Sequence, residues 1–516
     1  MSHPTVRDLL SQAAASRPEQ VGLVDPAADE TLRFREWDER VTRTANGLLD
    51  AGFEPGDHVS VMVKDSVELL VLLFGGLEIG LVVTPVSYRA PPGRLSYVLE
   101  HSEADGIAVD EACIETVREL DAESLPDSRI GVGDVDLPDE IPYESVTDGS
   151  DRPPGISVAE DDRALLLYTS GTTGDPKGVT HSHRNVVEAN LMSVPYNRLR
   201  PGDTSVALGP LYHVGPLLAN FMPALQVGAT NLIQRDFDPT VTLDYIENEG
   251  VTALWGVPTH FNEVLDEGTI AERDTEDVRM IQYSGSAMPE EVVRRCREQF
   301  PDVDFVNAYG TTEIIFGAFL YPEDHDDHLG SIGHAVPKAR VRLVDPDDPM
   351  PGNTVERGQE GEILVETPTC MTGYWKAPEK TDEAIVDGWY RTGDLGRRDE
   401  DGFLYFVDRK DNMIISGGEN IYPAEVENVL HDHPDVRTAA VIGAPDSEWG
   451  QVVTAFVVPG TDDLSGEDLD EYFKASASIE DFKRPRRYEI RSSLPQTNSG
   501  KISRQDLRKA VKETNS

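Results

Sequence analysis

Cysteine is nearly absent: Cys113, Cys296 and Cys370 are the only three in 516 residues, widely spaced and odd in number. That excludes a disulfide framework, shows no metal-ligand spacing, and fits a reducing compartment. Lysine is also scarce, with 11 residues, so 35 of the 46 basic side chains are arginine. Against these stand 94 acidic residues and a formal charge of −48. So acidic a chain disfavours nucleic acid as a partner. It reads as a cytoplasmic protein from concentrated salt, where ions screen the self-repulsion. A solvated acidic interaction face would gather the charge in a tail, whereas here it is spread along the chain. No basic start followed by an apolar run suggests a signal peptide. The most hydrophobic window, Leu69 to Val86, is broken by Gly75, Gly76 and Glu78. It reads as a buried helix and a short strand, Leu81 to Thr84, and not as a stable membrane insertion.

Hydrophobic residues make up 39% of the chain, enough for a globular enzyme of two or more domains. Thr5 with Asp8 reads as a capping box opening a helix with Val6, Leu9, Leu10 and Ala13. A second helix carries Trp37, Val41, Ala45, Leu48 and Leu49, with Gly52 as its stop. A strand (His58 to Val63), a helix from about Val67 and the strand ended by Pro85 follow. Such alternation implies a parallel sheet covered on both faces. Residues 120–160, rich in Asp, Pro and Ser, read as a surface excursion. Strands then recur at Ser205 to Leu208, Ala253 to Gly256 and Met280 to Tyr283. From about 331 shorter strands (Arg340 to Val344, Glu362 to Val365, Gly402 to Val407) suggest a β-rich subdomain. After Asp411 a helix from Pro423, strands Thr438 to Ile442 and Val452 to Val458, and a helix capped by Ser465 with Asp468 suggest a small α+β domain.

One stretch organises the rest. The apolar run Leu165-Leu166-Leu167 ends in Tyr168-Thr169-Ser170-Gly171-Thr172-Thr173-Gly174-Asp175-Pro176-Lys177. This is a strand running into a loop whose N–H groups and hydroxyls can meet phosphate oxygens, with Lys177 as a point charge. It is not a Walker A loop, since Pro176 and Gly178 flank the lysine.

Four further stretches stand beside it: Asn307-Ala308-Tyr309-Gly310-Thr311-Thr312-Glu313, Tyr390-Arg391-Thr392-Gly393-Asp394-Leu395-Gly396, Asp408 to Ile421, and Leu494 to Lys501. Together, in this order, the five resemble the core motifs of the adenylate-forming superfamily, in its acyl-CoA synthetase branch. The resemblance spans about residues 30 to 505. It implies an α/β fold: a large N-terminal domain (1–410) of parallel-sheet subdomains plus a β-rich one, and a small mobile α+β C-terminal domain (411–516).

The implied chemistry is activation of a carboxylate as acyl-AMP with release of pyrophosphate, then transfer to the thiol of CoA. Positioned donors and cations must offset repulsion between carboxylate and triphosphate. The resemblance puts Thr169, Ser170, Gly171, Thr172, Thr173, Gly174 and Lys177 around the β- and γ-phosphates. It puts Ser286, Ala287, Tyr309, Gly310, Thr311 and Thr312 on AMP, with Tyr309 on adenine and Thr312 at the α-phosphate. Asp394 and Arg409 serve the ribose, and Glu313 holds Mg²⁺. Lys501 bridges acyl carboxylate and α-phosphate. Lys501, Thr312, Glu313 and Lys177 are thus the catalytic set. Asp411 matches the hinge, and Gly417 and Gly418 the segment lining the pantetheine channel. Phe482, Arg484 and Arg486 lie in a basic island, Phe482 to Arg487, that in similar ligases meets the CoA nucleotide. The alternative for that island is a salt-bridged surface patch.

His213 matches the mouth of the acyl pocket, with Val214, Gly285, Ala287, Ala308, Ile315 and Phe316 as walls. Gly310, where acetate-specific relatives have Trp, is expected to leave the pocket open. No acidic residue lies between His213 and Gly228, and no carrier domain follows Ser516, so an uncharged acyl chain is favoured over an amino acid. A medium- or long-chain fatty acid is the first reading and an aryl acid the second. An acyl-AMP ligase loading a carrier protein and a catalytically silent binding protein are the alternatives. A homodimer is a base-rate expectation.

Overall fold

Among the described residues, three sheets precede residue 410 and a fourth follows it. A computed structural model describes residues 4–514 apart from 170–175, 286–287, 301, 418, 447–448, 462, 477–478 and 498–500. The first sheet has eight strands. His58–Met62 sits at its centre, parallel to Val82–Pro85 on one side and to Gly106–Asp110 on the other. Arg163–Thr169 pairs with Val82–Pro85, and the chain then returns antiparallel as Lys177–Ser182, with Thr169 opposite Lys177. The organising stretch therefore supplies both stems of a hairpin.

The second sheet has nine strands. Its parallel middle runs through Asp304–Tyr309, Met280–Ser284, Ala253–Gly256 and Thr204–Ala207. Antiparallel strands close its edges, Glu30–Arg33 at one and Ala318–Leu320 followed by His334–Ala335 at the other. Helices fill the space between these two sheets. The Phe34–Asp50 helix buries Trp37 edge-on against Phe74 and Phe221, with ring centroids 5.6 and 5.9 Å away. Burying each such side chain contributes about 1.5–3 kcal/mol. No helix among the described residues is long and apolar enough to cross a membrane. The Leu69 to Val86 window is the buried helix Val67–Glu78 and the strand Val82–Pro85.

The 120–160 stretch corrects the surface-excursion reading. Ser128–Val132 and Glu140–Pro142 extend the first sheet in parallel, and the Tyr143–Thr147 helix packs so closely that a Cβ on Gly47 would stand 2.0 Å from the Val146 carbonyl oxygen. Short strands with few large apolar residues, Ile130, Val132 and Ile141, are hidden by the surrounding Asp and Pro.

The third sheet is antiparallel, built from Arg340–Val344, Glu360–Glu366, Trp389–Arg398 and Leu404–Arg409. A 3-10 turn, Lys410–Asn412, leads out of it to Ile414–Ser416, the first strand of the fourth sheet. There the long hairpin Val436–Asp446 and Gly450–Pro459 alternates its faces. Val441 and Val457 pack under the helices Pro423–His431 and Gly466–Ala475, while Ile442 and Phe456 pack under the final helix. Ser465 and Asp468 form the expected reciprocal cap.

Candidate active site

The site lies where the ends of the first three sheets meet the Lys501 loop. That loop is tied at its base: Ser503 N donates to Pro495 O at 2.8 Å, and Thr497 N to Lys501 O at 2.6 Å. Gln496 hydrogen-bonds Glu263 on the Pro258–Asp266 helix of the large domain. The Lys501 chain then enters the cleft. Its Cε and Nζ lie 3.0 and 3.3 Å from where a Cβ on Gly285 would stand. Gly285 has φ +85, and only a residue without a side chain leaves this approach open. Burial lowers the Lys501 pKa, with Arg409 adding to the effect and Asp394 opposing it.

Asp394 and Arg409 face each other in register on neighbouring strands, Oδ1 to Nε 3.2 Å. Asp394 is 3% exposed; its Oδ2 accepts from the Tyr309 hydroxyl at 2.6 Å, and its N–H donates to Thr392 Oγ1 at 3.0 Å. Burial raises the Asp394 pKa, while Arg409 and Tyr309 pull it down. Each carboxylate oxygen still has a lone pair to spare, so the group keeps acceptor capacity for a ligand. Tyr309 itself packs in the core with Val179, Ile314 and Ala318.

His213 stands near the same lysine. Burial, and then Lys501, push its pKa down to about 3, so the ring is neutral, and its Nε2 has no partner among the described residues. Thr311 Oγ1 is likewise buried without a partner among them.

Glu313 and Lys177 are joined through a residue the sequence reading missed. Tyr374 Oη donates to Glu313 Oε1 at 2.8 Å, and its ring lies 4.7 Å under Lys177 Nζ. Tyr374 gets there because Gly373–Tyr374 adds to the edge of the hairpin strand, opposite Thr180 and Val179. The Gly373-Tyr374-Trp375 stretch was its only sequence signal. His181 was missed too. It is fully buried, its Nε2 meets Thr312 O at 2.8 Å, and burial pushes its pKa down to about 4. Asp65, also unforeseen, accepts the Leu211 N–H with Oδ1 and Oδ2 at 3.1 and 3.0 Å, and so fixes the segment carrying His213.

Other expected residues fall as follows. Ser170, Gly171, Thr172, Thr173, Gly174, Ser286, Ala287 and Gly418 lie outside the described residues; Thr169 and Lys177 flank the first group. Val214, Ala308, Ile315 and Phe316 share the main core with Leu211 and Leu218. Gly310 is a point of close backbone approach. A Cβ there would stand 1.9 Å from the Ile315 carbonyl oxygen, so the chain's own turn calls for glycine. Ile315 makes this turn at φ +57, a left-handed conformation costly for a β-branched residue. Asp411 is exposed in the 3-10 turn between the third and fourth sheets. Gly417 has φ +61 and lies against the Trp449 ring, which is 53% exposed.

The basic island is neutralised in space. Lys483 pairs with Glu425 and Glu480, Arg484 with Asp470 and Asp481, Arg486 with Asp481, and Arg487 with Asp446. Phe482 beside them is exposed.

A hairpin stem beginning in lysine, a buried carboxylate with its arginine, and a second lysine from a loop after the fourth sheet thus border this site. The AMP-binding enzyme profile matches residues 10–375, and the profile of that enzyme's C-terminal domain matches residues 425–501. The chain belongs to the AMP-binding enzyme family. It is 35% identical to a feruloyl-CoA synthase of Amycolatopsis over 480 residues, covering 93% of this chain and 94% of the relative. It is 30% identical to a long-chain-fatty-acid–CoA ligase of Mycobacterium tuberculosis over 509 residues, covering 98% of each. Among solved structures, an anthranilate CoA ligase in complex with anthranoyl-AMP superposes with a TM-score of 0.92 at 26% identity, covering 100% of this chain and 98% of the other.

Proposed function

We propose that the protein is an ATP-dependent acid–CoA ligase that activates an apolar carboxylic acid. The acid's oxygen attacks the α-phosphorus of ATP, and pyrophosphate leaves. The CoA thiol then attacks the acyl carbon, and AMP leaves. The observation that carries this reading is the entry of Lys501 beside Gly285, close to Asp394, Arg409 and His213. There its ammonium can bridge the incoming carboxylate and the α-phosphate, two anions that otherwise repel. Asp394 would accept from the ribose hydroxyls with Arg409 beside it; Tyr309, Gly310 and Thr311 would border the nucleotide, and Thr312 the α-phosphate. Lys177, Thr169 and the adjoining loop would hold the β- and γ-phosphates.

Glu313 fits Mg²⁺ by the chemistry of its carboxylate. Such an ion would neutralise charge on the phosphates. Tyr374 would meanwhile keep Glu313 aimed at it.

Residues 1–410 and 411–516 would be the two moving bodies, with Asp411 as hinge. Rotation would withdraw Lys501 and bring Gly417 and Gly418 to the thiol channel. For the acid, a fatty chain and an aryl group are both apolar enough for walls such as Ala308, Ile315 and Phe316. A medium- or long-chain fatty acid is the first reading and an aryl acid the second. The acidic surface suits a cytoplasm rich in salt.

The test is AMP release over a panel of alkyl and aryl acids, with and without CoA, in molar KCl. Turnover of at least one acid that depends on CoA is expected. Failure of every acid to drive ATP consumption would refute the reading.

A further inference from the structure

The helix Pro92–Ser102 starts on a proline pair and ends at Glu103 in a left-handed turn. Arg94, Tyr97 and His101, at spacings of three and four, fall along one face. That face meets the organising hairpin. An Arg94 terminal nitrogen donates to Thr169 O at 3.2 Å. Tyr97 Oη donates to Pro176 O at 2.9 Å. One turn further on, His101 Nδ1 and Tyr168 Oη are 2.8 Å apart, and the Tyr97 and His101 rings stack at 5.3 Å. Trp375 Nε1 donates to His101 O at 3.0 Å, which links this helix to the neighbour of Tyr374.

We propose that this helix is the bracket of the phosphate-facing hairpin, with Arg94 and Tyr97 as positioning residues for Thr169 and Lys177. The inference rests on the reading that those two face the β- and γ-phosphates. Thr169 ends the outgoing strand and Pro176 precedes the returning one, so one helix face grips both stems of the hairpin within a single turn. The grip also has the right polarity. Arginine has donors only, and the tyrosine hydroxyl here donates, so two carbonyl oxygens turn towards the helix and their negative ends are held away from a triphosphate. Donors fixed before the ligand arrives need no reorganisation on binding.

Arg94→Met and Tyr97→Phe each remove one hydrogen bond to a stem and leave most of the packing in place. Binding of ATP, pyrophosphate and AMP to the full-length protein is measured in molar KCl with magnesium. One such bond should weaken ATP and pyrophosphate about three- to tenfold, with the double variant weaker still. AMP, which lacks the distal phosphates, should bind as it does to the wild type. Equal weakening of AMP would make the helix a merely structural support and overturn the proposal, as would unaltered pyrophosphate binding in both variants. Should Arg94→Met fail to fold, Tyr97→Phe, which deletes one oxygen atom, decides alone. A wild type that binds neither ATP nor pyrophosphate would remove the functional reading first, and the bracket with it.

Discussion

Replacing Asp65 with asparagine should stabilise the protein, and increasingly so as pH rises. Asp65 is 2% exposed, and burial raises its pKa from 3.8 to about 8; the Leu211 N–H pulls the other way, Asp236 adds to the rise, and Arg89 and Lys64 oppose it. The folded protein therefore holds a proton that the unfolded chain releases near pH 3.8. Stability is full below that value and is lost as pH rises towards 8. At about 1.36 kcal/mol for each pH step, the loss is on the order of 5 kcal/mol by the upper end of that window. Asparagine keeps an oxygen to accept from Leu211 and carries no charge to bury. In urea titrations at constant KCl, the two proteins should have similar midpoints near the lower end of the window. The variant should be several kcal/mol the more stable at its upper end. Parallel pH profiles, or an asparagine variant that is weaker near pH 8, would show that Asp65 is ionised and satisfied where it sits.

Lys501→Ala should lower adenylate formation by about 10²–10³-fold, the scale for one lost donor at developing charge, yet spare thioester formation from supplied acyl-AMP; stopped-flow assays of each half-reaction separate the two. Tyr374→Phe deletes the hydroxyl held by Glu313 but keeps the ring under Lys177. It should raise the magnesium concentration needed for half-maximal turnover and leave AMP affinity alone, which a magnesium titration reads directly.

Local chemistry was legible where it is written in adjacent residues. Thr5 with Asp8 and Ser465 with Asp468 cap the helices expected of them, and Ala253–Gly256 and Arg340–Val344 are strands at the residues read as such. Pro423 opens its helix. The hairpin course after Thr169 was not legible, because a glycine-rich loop can feed a helix or a returning strand, and only pairing decides. Tyr374 was out of reach for the same reason: its place depends on pairing with Val179 and Thr180, far away in sequence. Gly310 shows the converse limit. Its lack of a side chain reads as room for a substrate, but the place a Cβ would take belongs to the Ile315 carbonyl, so the glycine also serves the chain's own turn.

The basic island carries this further. Lys483, Arg484, Arg486 and Arg487 are neighbours in sequence, but Glu425, Asp470 and Asp446 reach Lys483, Arg484 and Arg487 from other elements, so local charge density in the sequence overstates the field in space. Asp481 matters most, because it pairs with Arg484 at 2.9 Å and Arg486 at 3.4 Å while its own side chain is 73% exposed. A CoA phosphate seeking either guanidinium must compete with that carboxylate. Exposed pairs of this kind contribute about 0.2–1 kcal/mol, so Asp481→Asn should lower the KM for CoA about two- to fivefold. The KM for ATP should not move, since the island adjoins the fourth sheet whereas Asp394 and Lys177 belong to the third and the first. Added KCl should shrink the difference between variant and wild type, because it screens the competing carboxylate as well as the phosphate. A KM for CoA that rises or stays fixed in the variant would mean that these arginines serve the small domain's own stability and meet no nucleotide.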